Sequence, residues 1–519
     1  MTINVASAPP GRQQPRESRY DVVVVGGGIG GLSAAACLAR IGQKVLVVEQ
    51  GTGVGGYAHA FRRGPYTFDP AMSVFPQGHD HALPVALLDW LGVRDQCRFV
   101  PLESNYRAAF PGFDISTPFG LDAFTEAHCR RFPRHAAALR DFFSLCGRLH
   151  HEAHVLPPQV GLAGIDEAAR RFPVLFKYIK ATTQQALDEY FDDPLLKAVV
   201  SASWPYLGSP PSRLDFVTFS TVLSVYLEGC FYPEGGFQSL ANALATGMER
   251  FGGEVVLGEQ VTRILVKDGR ACGVELADGE VIEAGTVISN ADATTTFADM
   301  VGDAHMPAGF MKRLRRMKPS PSAVVVFIAT RLDMRATGAV HEVFRPLHID
   351  HDETYRDILA GRPGGMFGTV PTLASPSLAP DGEHLLIIRS LAPYDIGRPW
   401  KGEAKAYTEH VLDAYEPVFP GLRDSITYIE TATPTALERH SRNRFGAAYG
   451  WENTPTQTGG KRSPHVTPLD GLLLAGHWTQ PGTGSLRALI SGMHTAQLAL
   501  GINGLPPITF DHPDFPPAV

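Results

Sequence analysis

The sequence predicts an α/β fold with a strand–turn–helix–strand unit, and with further helices and strands that suit an α+β layer. Three observations support this prediction. A strand, a glycine turn, a helix and a second strand follow one another over residues 20–50, and a run of short strands with two Asp-Gly turns occupies 252–292. A further strand, glycine turn and helix occupy 472–500.

Length and composition limit the number of domains and the kinds of partner that are expected. A chain of 519 residues is too long for one hydrophobic core, so two domains are expected, and an apolar content of 44% is ordinary for a globular protein. The formal charge of −7, from 46 basic and 53 acidic residues, comes without a basic block that would follow a phosphate backbone. A nucleic-acid partner is therefore not expected.

The cysteines and the N-terminus indicate a reducing, cytoplasmic setting. The six cysteines are far apart and form no C-x-x-C, so neither a disulfide framework nor a thiolate zinc site is predicted. The first 19 residues are polar and Pro-rich and lack the apolar core of a secretory signal, so we expect a flexible tail at 1–19. The most apolar stretch, Phe216 to Tyr232, is interrupted by polar residues and predicts a buried helix whose start Ser212 and Asp215 would cap.

The first motif is a βαβ unit with the sequence YDVVVVGGGIGGLSAAACLARIGQKVLVVEQ. Its glycines follow the G-x-G-x-x-G pattern: Gly26 allows the tight turn, Gly28 lets backbone approach a pyrophosphate, and Gly31 lets helix and strand pack closely. Gly30 belongs to the same loop. The pyrophosphate of a dinucleotide would then lie on the helix N-terminus, where N–H groups and the helix dipole favour an anion.

Glu49 ends the second strand, about 20 residues beyond the first glycine. A carboxylate at this place accepts hydrogen bonds from the adenosine ribose hydroxyls, and an acid rather than an arginine favours an unphosphorylated ribose. Strand, glycines, helix, second strand and acid in this order predict a site for FAD or NAD, and not for NADP.

The segment that follows resembles a known family. EQGTGVGGYAHAFRRGPYTFDPAMSVFPQG, residues 49–78, looks like the second FAD fingerprint of the phytoene desaturase and carotenoid isomerase family, in which an acid precedes a Gly-Gly pair and a Phe-Asp segment, here at 68–69. The resemblance implies that Gly55 and Gly56 pass under FAD, with Tyr57 beside them. Monoamine oxidase relatives carry Arg after the paired glycines, so Tyr57 counts against amine oxidation.

Two central blocks resemble the same family, namely FYPEGGFQSLANAL and GGEVVLGEQVTRILVKDGRACGVELADGEVIEAGTVISNAD. In the second block Asp268-Gly269 and Asp278-Gly279 predict tight hairpin turns and hence a three-stranded meander. The resemblance implies a backbone contact of Val261 with adenine, and it places Asn290 where the chain returns to the dinucleotide sheet.

The C-terminal blocks ETATPTALERHSRNRFGAAYGWENTP and TPLDGLLLAGHWTQPGTGSLRALISGMHTAQLAL resemble the closing motifs of the family. LLLAG is predicted as a strand, and the glycine-rich turn after it opens a helix from about 485 to 500. By resemblance the N-terminus of this helix faces the flavin pyrimidine edge and stabilises the negative charge of reduced FAD. The predicted contacts are Gly476, His477, Gly484 and Ser485.

The resemblance implies a Rossmann-type FAD-binding domain of the glutathione reductase and amine oxidase type, interleaved with an α+β substrate domain. Within the substrate domain we expect helices over 133–155 and 181–200 and a buried strand over 322–330. The FAD-binding segments are 20–85, 232–300 and 460–505, the substrate domain takes 86–231 and 301–459, and a C-terminal tail occupies 506–519.

Residues that would act in catalysis are not marked by a triad or a pair of acids, as expected where a cofactor carries the chemistry. The candidates are His477, His59, Tyr449 and Trp451. His477 is expected to contact the cofactor rather than to transfer a proton. The two aromatic residues would form a wall near the flavin or else pack in the core.

His150 and His154 stand four residues apart on a predicted helix, a spacing that would let both side chains ligate one metal ion. No third ligand accompanies them in the sequence pattern. We therefore expect no metal and interpret the pair as a solvated helix face.

By resemblance the chain is predicted to be an FAD-dependent desaturase or dehydrogenase of an apolar conjugated polyene, carotenoid-like, terpenoid or polyketide. Hydride would pass between flavin N5 and an allylic carbon. A redox-neutral isomerase, a saturase and a reductive polyene cyclase are close alternatives on the same scaffold. An amine or amino-acid oxidase is a further alternative. So is a non-catalytic prenyl-binding protein, since GDP-dissociation inhibitors share this fold, but the intact flavin fingerprint argues against it.

The electron partner is expected from outside the chain, because no second G-x-G-x-x-G unit provides a nicotinamide site. Dioxygen, a quinone and a redox protein all stay open. No motif places a residue for covalent attachment, so FAD is expected to be held noncovalently. Peripheral contact with a membrane surface also stays open, since an apolar substrate has to be collected somewhere.

Overall fold

The computed structural model describes residues 15, 17–80, 82–155 and 165–502. The expected C-terminal tail at 506–519 lies outside the described residues, as does most of the expected N-terminal tail. Arg19, the last residue assigned to that tail, instead opens the first strand, because it pairs with Glu283 of a neighbouring strand.

The chain forms two large sheets and two small ones, covered by helices. The strands are, in chain order, β1 (Arg19–Val25), β2 (Val45–Glu49), β3 (Phe61–Arg63), β4 (Tyr66–Phe68), β5 (Phe75–Pro76), β6 (Phe99–Pro101), β7 (Tyr106–Phe110), β8 (Phe113–Thr117), β9 (Cys230–Pro233), β10 (Glu254–Leu257), β11 (Val261–Lys267), β12 (Arg270–Leu276), β13 (Val281–Ser289), β14 (Ser322–Thr330), β15 (Glu342–Arg345), β16 (Met366–Thr369), β17 (His384–Ala392), β18 (Ile426–Ala432) and β19 (Leu472–Leu474). The α-helices are α1 (Ile29–Arg40), α2 (Leu83–Trp90), α3 (Leu121–Arg131), α4 (Ala136–Val155), α5 (Ile165–Arg171), α6 (Pro173–Tyr178), α7 (Thr183–Tyr190), α8 (Pro194–Val200), α9 (Phe216–Leu227), α10 (Gln238–Glu249), α11 (Ala308–Leu314), α12 (His351–Leu359), α13 (Trp400–Tyr415), α14 (Leu422–Ser425), α15 (Pro434–Ser441) and α16 (Ser485–Ala499).

The first large sheet has the order β10-β2-β1-β13-β12-β11, and β19 pairs with the C-terminal end of β13. Strands β10, β2, β1, β13 and β19 run parallel, whereas β11, β12 and the start of β13 form an antiparallel meander. Asp268 (φ 51°) and Gly269 (φ 75°) both occupy the left-handed region, as a two-residue hairpin turn requires. The predicted βαβ unit, meander and return strand are confirmed.

Helices α1 and α16 cross in close contact over this sheet, with α10 packed beside α1. The crossing requires a small residue, because a Cβ on Gly492 would stand 2.0 Å from the Gly30 carbonyl oxygen. Ser33 Oγ also donates to the Leu489 carbonyl across the crossing, at 2.9 Å. Both helices follow parallel strands of one sheet, so their N-termini lie at the same sheet edge.

The second large sheet, of order β18-β14-β17-β16-β15-β7-β8, is antiparallel except between β15 and β7. All residues of β14 are buried, as predicted for 322–330, because α13 covers one face and the β3–β4 hairpin packs on the other. Helices α3 to α9 build an aromatic core near β7 and β15. This is the predicted α+β layer.

The helix predicted over 181–200 is interrupted. Helix α7 ends at Tyr190 and α8 begins at Pro194, whose ring cannot continue a preceding helix. Asp193 caps α8 by accepting from Leu195 N at 2.8 Å. The sequence pattern therefore described two helices as one.

Helix α9 is the buried helix predicted from Phe216 onward. Asp215 Oδ2 accepts from Thr218 N at 2.8 Å and caps it. Ser212 does not share this cap, because its hydroxyl bonds to Asp352. In the described ranges no helix is both long and apolar enough to cross a membrane.

The segment after residue 85 packs with the dinucleotide-binding part, although the sequence assigned 86–231 to the substrate domain. Leu87 and Leu88 lie in the same core as α1 and α10. The chain passes from this core to the aromatic core of the second layer between Leu102 and Tyr106. The remaining domain limits stay a prediction.

Candidate cofactor and active site

The glycine loop after β1 packs against Asn290, which follows β13. Asn290 Nδ2 donates to the Gly26 carbonyl at 3.3 Å, and a Cβ on Gly30 would meet Asn290 Oδ1 at 2.6 Å. A Cβ on Gly31 would stand 2.2 Å from the Gly26 carbonyl oxygen, so helix and turn close up as the motif predicts. The structure thus brings the predicted glycine loop into contact with Asn290, which was predicted as a site residue from a distant part of the sequence.

The N-terminus of α1 is open to a ligand. Gly28 is its N-cap, and no side chain accepts from the N–H groups of the first turn. Gly55 N donates to the Gly27 carbonyl at 2.8 Å, and a Cβ on Gly56 would lie 3.2 Å from Gly28 Cα, so the second fingerprint lines the same opening. Free N–H groups at the positive end of a helix dipole fit a dinucleotide pyrophosphate.

Glu49 lies at the end of β2 with its carboxylate turned towards the loop. Its Oε2 accepts from Gly27 N at 2.7 Å and its Oε1 from Gly51 N at 2.6 Å. Burial raises the pKa of this carboxyl group, and the backbone donors oppose the rise. Each carboxylate oxygen keeps a further lone pair, so a ribose hydroxyl fits as an additional donor. Glu259 N donates to the Glu49 carbonyl at 3.1 Å, which brings the start of β11 and Val261 to this corner.

A buried carboxylate ties the second fingerprint to the FYPEGGFQSLANAL block. Asp69 accepts from Phe237 N at 3.1 Å and from the Tyr232 hydroxyl. Burial raises the pKa of Asp69 to about 6, against the lowering effect of the Tyr232 hydrogen bond. The two motifs form one structural unit, although Asp69 and Phe237 are 168 residues apart.

Arg389 of β17 holds the stretch that follows Asp69. Its guanidinium donates to the carbonyls of Asp69 at 2.9 Å and Met72 at 2.8 Å and to Thr369 Oγ1 at 2.8 Å. Sequence reasoning missed this residue. The available signal was a single charge inside the apolar strand HLLIIRSLA.

The loop before α16 presents a second open helix N-terminus. Gly484 (φ 115°) is the N-cap, and no side chain caps the helix. Ser485 Oγ donates to the Val74 carbonyl at 3.5 Å, and Gly476 N donates to Ser491 Oγ at 2.9 Å. The positive end of α16 therefore lies beside the fingerprint stretch, which fits the pyrimidine edge of a flavin.

His477 follows Gly476 and carries an unused nitrogen. Its Nε2 is buried without a hydrogen bond to the part of the chain that the structure describes. The ring stacks on Tyr57 with centroids 5.8 Å apart and an interplanar angle of 22°. Burial, with a smaller effect of the Arg462 charge, lowers the pKa of His477 to about 3, so the imidazole is neutral at neutral pH. A neutral ring suits a hydrogen bond to a cofactor better than proton transfer.

The other three candidate catalytic residues differ from His477 and from one another in their surroundings. Trp451 is 1% exposed and packs edge-on against Trp478 at 4.7 Å, so core packing is its role. His59 lies against His440 with ring centroids 3.7 Å apart, and burial lowers the pKa of His59 to about 3. Tyr449 is half-buried, so the predicted position in an aromatic wall near the flavin stays a prediction for this residue.

Four tyrosines from separate elements lie deep in the molecule and still keep some accessible surface. Tyr57, Tyr206, Tyr226 and Tyr449 each keep partial exposure. Yet burial raises the pKa of all four hydroxyls. Deep groups that keep accessible surface are typical of a cavity wall. Tyr206 meets Tyr226 edge-on at 5.8 Å, so this wall is aromatic and suits a flat apolar molecule.

Glu342 of β15 is a second buried acid that the sequence analysis did not identify. It is 1% exposed and accepts from the Tyr206 hydroxyl, while its Oε1 lies 3.7 Å from His341 Nε2. Burial raises the pKa of Glu342 to about 7. One acid in a short strand forms no recognisable motif, so the sequence carried no signal for it.

No group of three or more His, Cys, Asp or Glu side chains within the described segments is arranged to hold a metal ion. His150 and His154 lie on α4 with ring centroids 6.0 Å apart. The solvated-face interpretation holds for His154 only, because His150 is half-buried with its Nδ1 unpaired.

The chain is similar to known flavoproteins and their relatives over most of its length. A sequence model of the flavin-containing amine oxidoreductase family matches residues 29–500. A prolycopene isomerase from Arabidopsis thaliana is 28% identical over 529 residues, which cover 96% of this chain and 86% of that protein. A lycopene-forming phytoene desaturase from Pseudescherichia vulneris is 27% identical over 494 residues, which cover 92% and 98%. Among solved structures, putrescine oxidase shares the fold with a TM-score of 0.63 at 14% identity, covering 93% of this chain and 99% of its own.

Proposed function

The chain belongs to the flavin-containing amine oxidoreductase family, and we infer that it is an FAD-dependent oxidoreductase of an apolar conjugated polyene. The observation that carries this inference is the near full-length similarity to a prolycopene isomerase and a phytoene desaturase. The partly exposed tyrosines support it, because an aromatic surface favours a flat, hydrophobic ligand.

FAD is proposed to bind noncovalently between the two open helix N-termini. The start of α1 would hold the pyrophosphate, Glu49 the ribose, and His477 Nε2 a further polar atom of the cofactor. When bound, FAD supplies a hydride acceptor or donor. The start of α16 would stabilise the negative charge of the reduced form.

The substrate side of the site positions the polyene and excludes water. Tyr57, Tyr206, Tyr226 and Tyr449 give the polyene an aromatic wall, and orientation of this kind is a large part of catalysis where a cofactor does the chemistry. Glu342 and the Tyr206 hydroxyl that donates to it place an exchangeable proton at this wall.

Desaturation is the reaction we propose, with an external electron acceptor. The similarity to a prolycopene isomerase favours a redox-neutral isomerase as the second candidate. We further propose a cytoplasmic enzyme that collects its substrate at a membrane surface.

The test is anaerobic mixing of the oxidised holoenzyme with carotenoid-like polyenes and, separately, with a panel of small amines. Loss of the oxidised flavin absorbance with a polyene, and none with the amines, is expected. Conversion of a polyene only by pre-reduced enzyme, without net oxidation, would move the assignment to the isomerase. Bleaching by an amine alone would refute a polyene substrate.

A further inference from the structure

Glu342 of β15 is a buried acid whose hydrogen bonding is incomplete. Its Oε2 accepts from the Tyr206 hydroxyl, whereas its Oε1 has no hydrogen bond among the described residues. We propose that Tyr206 is the catalytic residue that takes a proton from the polyene, and that Glu342 receives the proton of the Tyr206 hydroxyl in the same step. This deepens the proposed function and rests on it.

The neighbours of Glu342 leave its carboxylate free to take up a proton. His341 Nε2 lies 3.7 Å from Oε1, but this nitrogen donates to the Ser73 carbonyl at 2.9 Å. Arg389 also directs its guanidinium elsewhere, to Thr369 Oγ1 at 2.8 Å and to two carbonyls of the fingerprint stretch. An acid that is 1% exposed, with neither of these groups as an ionic partner, favours its neutral form more than an exposed acid does.

Glu342 is also the group of its surroundings that changes charge near neutral pH. Burial raises the pKa of Glu342 to about 7. The other ionisable groups that face Glu342 and Tyr206 are His341, Tyr226, Cys230, Tyr232, Arg389 and Tyr415. Burial lowers the pKa of the imidazole to about 4 and raises the pKa of the thiol and of the tyrosines, so these groups are neutral at pH 7, and the arginine stays a cation.

Tyr206 connects this closed acid to accessible surface. It is the one residue of 204–210 that is not buried. Its ring meets two buried rings, Phe344 at 4.8 Å and Phe367 at 4.9 Å, and the partly exposed ring of Tyr226 at 5.8 Å. The open side of Tyr206 therefore adjoins α9, and a proton reaches the buried carboxylate through the Tyr206 hydroxyl.

A chain of hydrogen bonds ties Tyr206 to the start of α16, where the flavin ring is proposed to lie. The Tyr449 hydroxyl donates to the carbonyl of Pro205 at 2.9 Å. The Tyr449 carbonyl in turn accepts from Thr483 Oγ1 at 2.5 Å. Thr483 directly precedes Gly484, the N-cap of α16. Tyr206 is thus held one residue away from a segment that contacts this helix start.

A second chain of hydrogen bonds ties Glu342 to the same helix start. His341, the preceding residue on β15, donates to the Ser73 carbonyl at 2.9 Å. The next carbonyl along that stretch, of Val74, accepts from Ser485 Oγ at 3.5 Å, and Ser485 is the first residue of α16. The two members of the pair therefore approach the helix start from two directions, which places the proton acceptor where a polyene in contact with the flavin would lie.

Desaturation removes a hydride and a proton from neighbouring carbons of the polyene. The hydride, with its electron pair, goes to the bound flavin and leaves an allylic cation. The next carbon then loses its proton to the Tyr206 oxygen, and the electron pair of that C–H bond becomes the new double bond. The Tyr206 hydroxyl proton passes to the Glu342 carboxylate, so the tyrosine ends unchanged and Glu342 ends as a neutral acid. The cation would otherwise take the hydride back, so lasting flavin reduction requires this base.

The experiment follows anaerobic single-turnover flavin reduction by the carotenoid-like polyene that bleaches the oxidised holoenzyme, over about pH 5 to 9. The wild-type rate should rise by about tenfold per pH unit up to about pH 7 and then level off, because Glu342 accepts a proton only when it is ionised. Glu342→Gln and Tyr206→Phe should slow the reduction by about 10²- to 10⁴-fold and abolish this inflection. The Kd of the polyene should change much less, and Glu342→Asp should keep the inflection at a reduced rate.

The matched control is Tyr415→Phe. The buried Tyr415 hydroxyl of α13 donates to the Val343 carbonyl at 3.1 Å, directly beside Glu342 on β15. Its loss perturbs the same strand but leaves the hydrogen bond between Tyr206 and Glu342 in place, so the rate and its inflection should be those of the wild type. FAD content and Tm show whether each variant folds.

Any of four results would overturn the inference. They are a wild-type rate without an inflection near pH 7, an inflection that survives in E342Q, a wild-type rate in Y206F, and equal losses in Y415F. If E342Q fails to fold, Y206F and the wild-type profile decide. Polyene-driven flavin reduction with any of these four results leaves the proposed function standing. Conversion of the polyene without flavin reduction, or no reaction with any polyene, overturns the proposed desaturation and this inference together.

Discussion

Replacing Gly492 by Ala tests whether the crossing of α1 and α16 sets the cofactor site. The new methyl group would stand 2.0 Å from both the Gly30 carbonyl oxygen and Ser33 Oγ, and 2.9 Å from Ala34 N. Ordinary C···O contacts begin at about 3.3 Å. Because a backbone carbonyl cannot rotate away, α16 has to move by roughly 1 Å.

The expected loss of FAD affinity follows from the strain at the helix crossing and from the cofactor contacts predicted at the start of α16. Overpacking of this kind costs about 1 to 3 kcal/mol. Gly484 and Ser485 at the start of α16 shift with the helix, so we expect FAD to bind about 5- to 150-fold more weakly. Titration of FAD into the apoprotein, followed by quenching of flavin fluorescence, measures this Kd, and thermal unfolding with and without FAD measures the accompanying fall in Tm.

Gly402→Ala in α13 is the matched control. Nothing lies within 4 Å of a Cβ at Gly402, so the substitution brings only the helix propensity of alanine, a gain of up to about 1 kcal/mol. The affinity for FAD should not change in this variant. An unchanged Kd in G492A, or equal losses in both variants, would refute the reasoning.

Four further predictions concern the cofactor site and stability. Glu49→Arg should weaken FAD binding by about 1.5 to 3 kcal/mol, because a charge-assisted acceptor is lost and a cation put in its place; wild-type affinity on titration would show that Glu49 does not hold the ribose. His477 has a pKa of about 3 against an ordinary value of 6.5, so only the unfolded chain takes up this proton as the pH falls between these values. The unfolding free energy therefore falls with pH by up to about 1.4 kcal/mol per unit from this group, and His477→Gln should flatten the slope measured by urea unfolding; equal slopes would contradict this. Asp193→Ala should cost about 0.5 to 2 kcal/mol through loss of the α8 cap, without changing the flavin content; unchanged urea unfolding would show that the cap contributes nothing. Acid precipitation should leave all flavin in the supernatant, whereas flavin in the pellet would indicate covalent attachment.

The sequence by itself determined the dinucleotide-binding half, because each of its signals is local. The turn at Gly26, the Asp268-Gly269 hairpin and the acid after β2 depend on a few consecutive residues whose backbone requirements are strict. The buried strand at 322–330 was equally clear, since a continuous apolar run needs cover on both faces. These local features predicted the order of the elements, and the family resemblance was carried by the longer motif blocks around them.

Tertiary structure alone decided the substrate side and the partners of the buried charges. Asp69 meets Phe237 across 168 residues, and Arg389 reaches the fingerprint stretch from another sheet. Trp451 could equally have lined the cavity or packed in the core, and its contact with Trp478 decided for the core. Such pairings depend on which elements pack together, because burial and neighbouring charge are properties of the assembled layers rather than of any short stretch of chain.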